Sequence, residues 1–180
     1  VAHKVFRRAE DLTKVILPVA FEDTKEAIRS NIQTRRESLS YLENGGAIGI
    51  FPGGTVSTSR RMFGMPQDPG WRNFTAKMVM RSDAAVVPIF FEGQNSRLFQ
   101  IASHASTTLR LGLLIKEFKT RVDAPVRLAV GRPIERERLS RYYNDPNRMM
   151  EFLREQTYAL SPNPLVKQGL GYEFEAKYKG

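Results

Sequence analysis

Cysteine is absent from the 180 residues. Its absence excludes disulfides, thiolate nucleophiles and Cys-ligated zinc, and makes a cytosolic or cytosol-facing location the simplest expectation. Histidine is nearly absent too, so His3 and His104 are the only imidazoles available as bases. Long apolar runs are missing: the longest uncharged one, 84–91, contains Pro88, whereas a spanning helix needs roughly 20 apolar residues. The Gly-x-Ser-x-Gly, Gly-x-x-x-x-Gly-Lys, Gly-x-Gly-x-x-Gly and His-Glu-x-x-His patterns do not occur. Nucleophile-elbow hydrolases, P-loop enzymes, dinucleotide-binding folds and zinc proteases therefore lack their sequence marks.

Acidic residues are also in short supply, 19 against 28 Lys and Arg, which leaves a net charge of +9. A basic surface of that size attracts phosphate, whether on nucleic acid, on lipid headgroups or on a small molecule. Hydrophobic residues make up 41% of the chain, enough for one globular core. We expect a single domain over 1–161 and an extension over 162–180, where prolines and glycines accumulate. Val1-Ala2-His3 reads as the end of a strand, so a preceding segment is expected.

Apolar, β-branched runs at 15–21, 47–51 and 86–91 read as buried strands. Between the first two, a helix begins near Asp23 and ends at Gly45-Gly46, with Ala27, Ile28, Ile32, Leu39 and Leu42 facing inward. A second helix is expected over 71–81. The spacing of Leu109, Leu111, Leu113, Leu114, Ile115 and Phe118 predicts another, apolar on more than one face, followed by a strand at 126–130 and closing helices at 136–143 and 147–160. Strand–helix alternation of this kind predicts an α/β fold with a mainly parallel central sheet and helices on both faces.

In such a sheet, ligands gather at the carboxyl ends of the strands, where glycine turns and free N–H groups lie. Two segments qualify. Phe51-Pro52-Gly53-Gly54-Thr55-Val56-Ser57 joins a glycine pair to hydroxyls, and Arg60 and Arg61 follow. From Ser57 to Arg81, five basic residues stand against Asp68 alone. A plain glycine turn with a solvated basic face accounts for the same residues. The second segment runs through the strand residues Val87-Pro88-Ile89-Phe90-Phe91 and opens after Glu92 into Gly93-Gln94-Asn95-Ser96-Arg97, rich in amide, hydroxyl and guanidinium groups. An ordinary strand with a polar exit also accounts for it.

Phe51-Pro52-Gly53-Gly54-Thr55 resembles the Phe-Pro-Glu-Gly-Thr block of the glycerol-3-phosphate and lysophosphatidate acyltransferase superfamily. Val87-Pro88-Ile89 resembles that family's later Val-Pro block, in the same order and at similar spacing. Gly93 to Phe99, Leu114-Ile115-Lys116-Glu117-Phe118 and Val130-Gly131-Arg132-Pro133-Ile134 resemble the hemolysin-like branch that includes ornithine-lipid O-acyltransferases. The likeness covers 1–134. It implies transfer of a fatty acyl group from acyl-CoA or acyl carrier protein, as co-substrate, to the hydroxyl of a lysophospholipid-like or lyso-ornithine-lipid acceptor. No metal or cofactor is implied, nor any nucleic-acid partner.

By this resemblance Gly53, Gly54, Thr55, Ser57, Arg60, Arg61, Pro88, Asn95 and Arg97 bind substrate. The enzyme would work peripherally on the cytoplasmic face of a membrane, with Arg110, Lys116 and Lys119 beside the leucine-rich helix on anionic lipid; plain core packing of that helix is an equal alternative. Two departures matter. The family's acidic residue is Gly53 here, and the family's His-x4-Asp pair is missing, since Arg8 and Leu109 follow His3 and His104. That pair is expected upstream of Val1, so no catalytic residue is assigned and this stretch alone is expected to be inactive. The family's second block aligns with 19–23, without its arginine. The main alternative is a non-catalytic basic module that binds anionic membrane or nucleic acid; a second is a degenerate acyltransferase.

Overall fold

A computed structural model of the chain describes residues 2–3, 18–19, 24–163 and 169–173. Among these residues there are six strands, β1 (Ala2–His3), β2 (Pro18–Val19), β3 (Thr58–Ser59), β4 (Pro66–Gln67), β5 (Ile89–Phe91) and β6 (Leu128–Val130). The helices are α1 (Lys25–Glu43), α2 (Phe74–Val79), α3 (Arg97–Ala105), α4 (Thr107–Lys119), α5 (Arg136–Ser140) and α6 (Pro146–Tyr158). The chain divides into two compact units. One comprises Val1–Gly54, Arg72–Val86 and Pro133–Met150; the other comprises Thr55–Trp71, Val87–Arg132 and Glu151–Gly180.

The expected mainly parallel sheet is not present among the described residues. Three separate two-stranded sheets take its place: β1–β2 is parallel, whereas β3–β4 and β5–β6 are antiparallel. Two physical causes account for the difference. Residues 47–51 form no strand; the glycines Gly45 and Gly46 before the run and Gly49 inside it weaken pairing although Ile48, Ile50 and Phe51 favour strands. The second cause is α3, which the sequence pattern did not reveal. One helix between strands returns the chain for a parallel partner, but α3 and α4 in succession reverse its direction once more. β5 and β6 therefore meet antiparallel, Ile89 opposite Val130 and Phe91 opposite Leu128.

In the first unit, α1 ends where the sequence indicated. The Gly46 N–H donates to the Tyr41 carbonyl and the Gly45 N–H to the Leu42 carbonyl, with Gly45 at φ +81°. This is a Schellman closure, and it requires the left-handed conformation that glycine adopts without a Cβ penalty. The inward face of α1 differs from the expectation. Thr34 and Ser38 are buried, while Ile28 and Ile32 are exposed and Leu39 and Leu42 half-buried. The side chain of Ala27 lies outside the described residues, as do 20–23 and most of the expected first strand. The helix expected at 71–81 is the shorter α2, whose Ala76, Met78 and Val79 join Ile134, Leu139, Met149 and Met150 in the buried apolar set. A bridge from Val86 to Ile134 and the Arg136 guanidinium over the Tyr143 ring complete this unit.

In the second unit, α4 is turned the opposite way from a leucine-rich core helix. Arg110 is 7% exposed, while Leu111, Ile115 and Phe118, at positions i, i+4 and i+7, face solvent, with Phe118 72% exposed. The core is instead built from Phe99 and Ala102 of α3 with Phe152, Leu153 and Tyr158 of α6, and the Phe90 ring meets Tyr158 edge-on at 5.8 Å. No helix of the described residues is long and apolar enough to cross a membrane.

Candidate functional site

The Phe51-Pro52-Gly53-Gly54 stretch is a turn. The Gly54 N–H donates to the Phe51 carbonyl at 3.2 Å, the Arg72 N–H donates to the Pro52 carbonyl at 3.0 Å, and Gly54 sits at φ +66°. Gly53 is buried and Gly54 exposed. These residues belong to the first unit, whereas Thr55, Ser57, Arg60 and Arg61 belong to the second.

From Thr55 onward the chain runs into the β3–β4 hairpin. Thr55 is exposed. The Ser57 hydroxyl donates to the Asp68 carboxylate, which also accepts from the Trp71 indole N–H at 3.0 Å. The one acidic residue of this basic stretch is thus held by neighbours inside the fold. Arg60 and Arg61 sit at the hairpin tip, both exposed, and neither makes an ion pair among the described residues. Two exposed guanidiniums without an ion-pair partner among the described residues form an anion-attracting surface suited to bidentate phosphate contacts.

The base of the hairpin is held by buried polar groups, among which Gln100 was not singled out by the sequence. Gln100 of α3 accepts from the Ser59 N–H at 3.0 Å. Arg110 donates to the Thr58 and Ser103 hydroxyls, each at 2.8 Å, and its guanidinium lies 4.9 Å over the Phe99 ring. Arg110 was expected to face lipid; it is instead a brace of the core. His104 places Nε2 2.9 Å from the Ser59 carbonyl, so that nitrogen carries the proton and donates. The ring packs edge-on against Tyr172 at 5.1 Å.

The described part of the C-terminal extension closes the other side of the same hairpin. The Gly171 N–H donates to the Asp68 carbonyl and the Tyr172 N–H to the Thr58 carbonyl, at 2.8 and 3.1 Å. Gln67 accepts from the Gly169 N–H, and the buried Arg154 donates to Gln67 and to the Asp68 and Gly169 carbonyls. Tyr158 accepts from the Asp68 N–H at 2.9 Å. Burial pushes its phenol above the ordinary value, and the Asp68 carboxylate adds to the effect.

The remaining candidates lie elsewhere in the second unit. Pro88 offers its carbonyl to the Gly131 N–H at 2.9 Å. Asn95 is half-buried, and Arg97 is the exposed first residue of α3, whose N-cap is Ser96. The segment read as a polar strand exit is therefore a helix start: the Ser96 hydroxyl accepts from the Phe99 N–H at 3.2 Å. No hydrogen bond or ion pair among the described residues joins Pro88, Asn95 or Arg97 to 55–61. Nor does any group of three His, Asp or Glu among the described residues form a metal-binding cluster.

No family model, no curated protein and no solved structure matches the chain.

Proposed function

We propose that the chain is part of an O-acyltransferase acting on an anionic lysolipid, and that 55–61 holds the acceptor's headgroup. The carrying observation is the exposed Arg60–Arg61 pair, without an ion-pair partner among the described residues, while Asp68 is held by Ser57 and Trp71. The ordered likeness of Phe51 to Thr55 and Val87 to Ile89 to the acyltransferase blocks supplies the reaction class.

In the reaction, the acceptor hydroxyl oxygen forms an ester bond with the acyl carbonyl carbon. The carbon–sulfur bond of the thioester breaks, and the thiolate leaves and takes up a proton. Arg60 and Arg61 neutralise the headgroup, and charge-assisted contacts of this kind are stronger than neutral ones; the exposed Thr55 is the proposed hydroxyl donor. No base is assigned in this chain, because neither His3 nor His104 has the spaced Asp. A membrane-surface setting follows from the lipid acceptor.

The test is transfer from a labelled acyl thioester to lysophosphatidate or lyso-ornithine lipid by the full-length protein. Diacylated product is expected. Arg60→Ala is expected to raise KM for the acceptor by about tenfold, the scale of one lost charge-assisted contact, with KM for the thioester unchanged. Absence of transfer to either acceptor, combined with nucleic-acid binding that falls steeply with salt, would favour the non-catalytic basic module.

A further inference from the structure

The hairpin tip carries more than the two arginines. The Gly64 N–H donates to the Arg61 carbonyl at 2.9 Å, which places Met62 and Phe63 at the two corner positions of a tight turn. Turn corners favour Gly, Asn, Asp, Pro and Ser, because their side chains or backbone freedom suit the bend and the solvent. Here the corners are large and apolar, and Phe63 is 73% exposed. Met65, on the return side, is also exposed. Turn geometry alone does not call for these residues.

Below the tip, the hairpin is fixed. Thr58, Ser59 and Gln67 are buried and tied to Gln100, Arg110 and Arg154, and the Gly171 and Tyr172 amides close the outer side. The tip is therefore an exposed apolar turn on a hydrogen-bonded stalk, with the exposed Arg60 and Arg61 immediately preceding Met62 and Phe63 in the chain. We infer that this tip docks into the surface of an anionic lipid bilayer, Phe63 and the methionines entering the headgroup–acyl boundary while the two arginines engage lipid phosphates. Both halves of the pattern match that partner: aromatic and flexible thioether side chains suit the disordered apolar boundary, and guanidiniums at its edge suit anionic headgroups. A second copy of the chain fits poorly, because a two-fold contact through the tip would set four guanidiniums against one another.

This inference deepens the acyltransferase reading and rests on it for the choice of lipid over an acidic protein, but its test needs no acyl donor. The measurement is flotation of the full chain with vesicles of phosphatidylglycerol and phosphatidylcholine, compared with phosphatidylcholine alone. Binding to the anionic vesicles is expected, and the Met62→Ser/Phe63→Ser double variant is expected to weaken it by about tenfold with unchanged circular dichroism. In a separate Phe63→Trp variant, emission beyond that of Trp71 is expected to shift to the blue on anionic vesicles.

Equal vesicle binding by the double variant, or an unshifted Phe63→Trp spectrum in vesicle-bound protein, overturns the inference. So does absence of vesicle binding, including the case of a dimer that the double variant dissociates. Tip-dependent vesicle binding without acyl transfer would remove the enzymatic reading and leave this one standing. Acyl transfer on vesicles unaffected by the double variant would do the reverse.

Discussion

Arg110 shows at the level of one residue how a basic side chain among leucines misleads. Leu109, Leu111, Leu113, Leu114, Ile115 and Phe118 surround α4 on nearly every side, so apolar spacing alone gives two equally good inward faces. The choice fell to Arg110, because its planar fork reaches the Thr58 and Ser103 hydroxyls and the Val56 carbonyl at once while resting on Phe99. Arg110→Ala is expected to cost about 3 kcal/mol, since it strands buried acceptors as well as removing bonds; urea denaturation reads this directly. Tyr158 gives a second residue-scale test. Its phenol is raised above the ordinary 10.0 by burial and then by Asp68, so folding favours the neutral form. That contribution is complete below pH 10 and is lost as pH rises through the folded value. Tyr158→Phe is expected to lose about 1 kcal/mol at neutral pH, where the Asp68 N–H loses its acceptor. Its stability is then expected to fall less steeply than the parent's above pH 10.

Among the elements, helix ends were easier to read than strand partners. The end of α1 was legible because Gly45-Gly46 is a local signal tied to one backbone conformation. Strand direction was not, because it depended on whether one helix or two separated β5 from β6. The start of α3 is signalled by Ser96, an N-cap within a stretch whose glycine, amides and guanidinium also suit a ligand loop. The docked C-terminal segment has its own test. A Cβ at Gly171 would meet the Gln67 and Thr58 carbonyls at closer than van der Waals distance, so Gly171→Ala is expected to release the segment. Hydrogen exchange at the Tyr172 and Gly171 amides is then expected to speed up markedly, with α2 and α5 unaffected.

For the molecule as a whole, composition indicated a basic surface but not its distribution. The +9 charge is shaped by where the acids are held: Asp68, alone among the basic residues of its stretch, is turned inward to Ser57 and Trp71. In the first unit, burial and the neighbouring Arg81 and Arg36 lower the Arg35 guanidinium from its ordinary value, which shows cations crowding there as well. The candidate residues were legible as a loop rich in hydroxyls and arginines, and the structure presents Thr55, Arg60 and Arg61 to solvent. The apolar turn corner beside Arg60 and Arg61 was not legible, because Met62 and Phe63 become unusual only once the Arg61–Gly64 turn is seen.

On the proposed function, Arg60 and Arg61 grip an anionic lipid headgroup. Isothermal titration of the chain with lysophosphatidate and with the uncharged monoacylglycerol of equal chain length, both below micelle formation, tests it most directly. Binding of lysophosphatidate alone is expected, weakened by about tenfold or more in Arg60→Ala/Arg61→Ala. Equal affinity for the two lipids, or an unchanged affinity in the double variant, would contradict it.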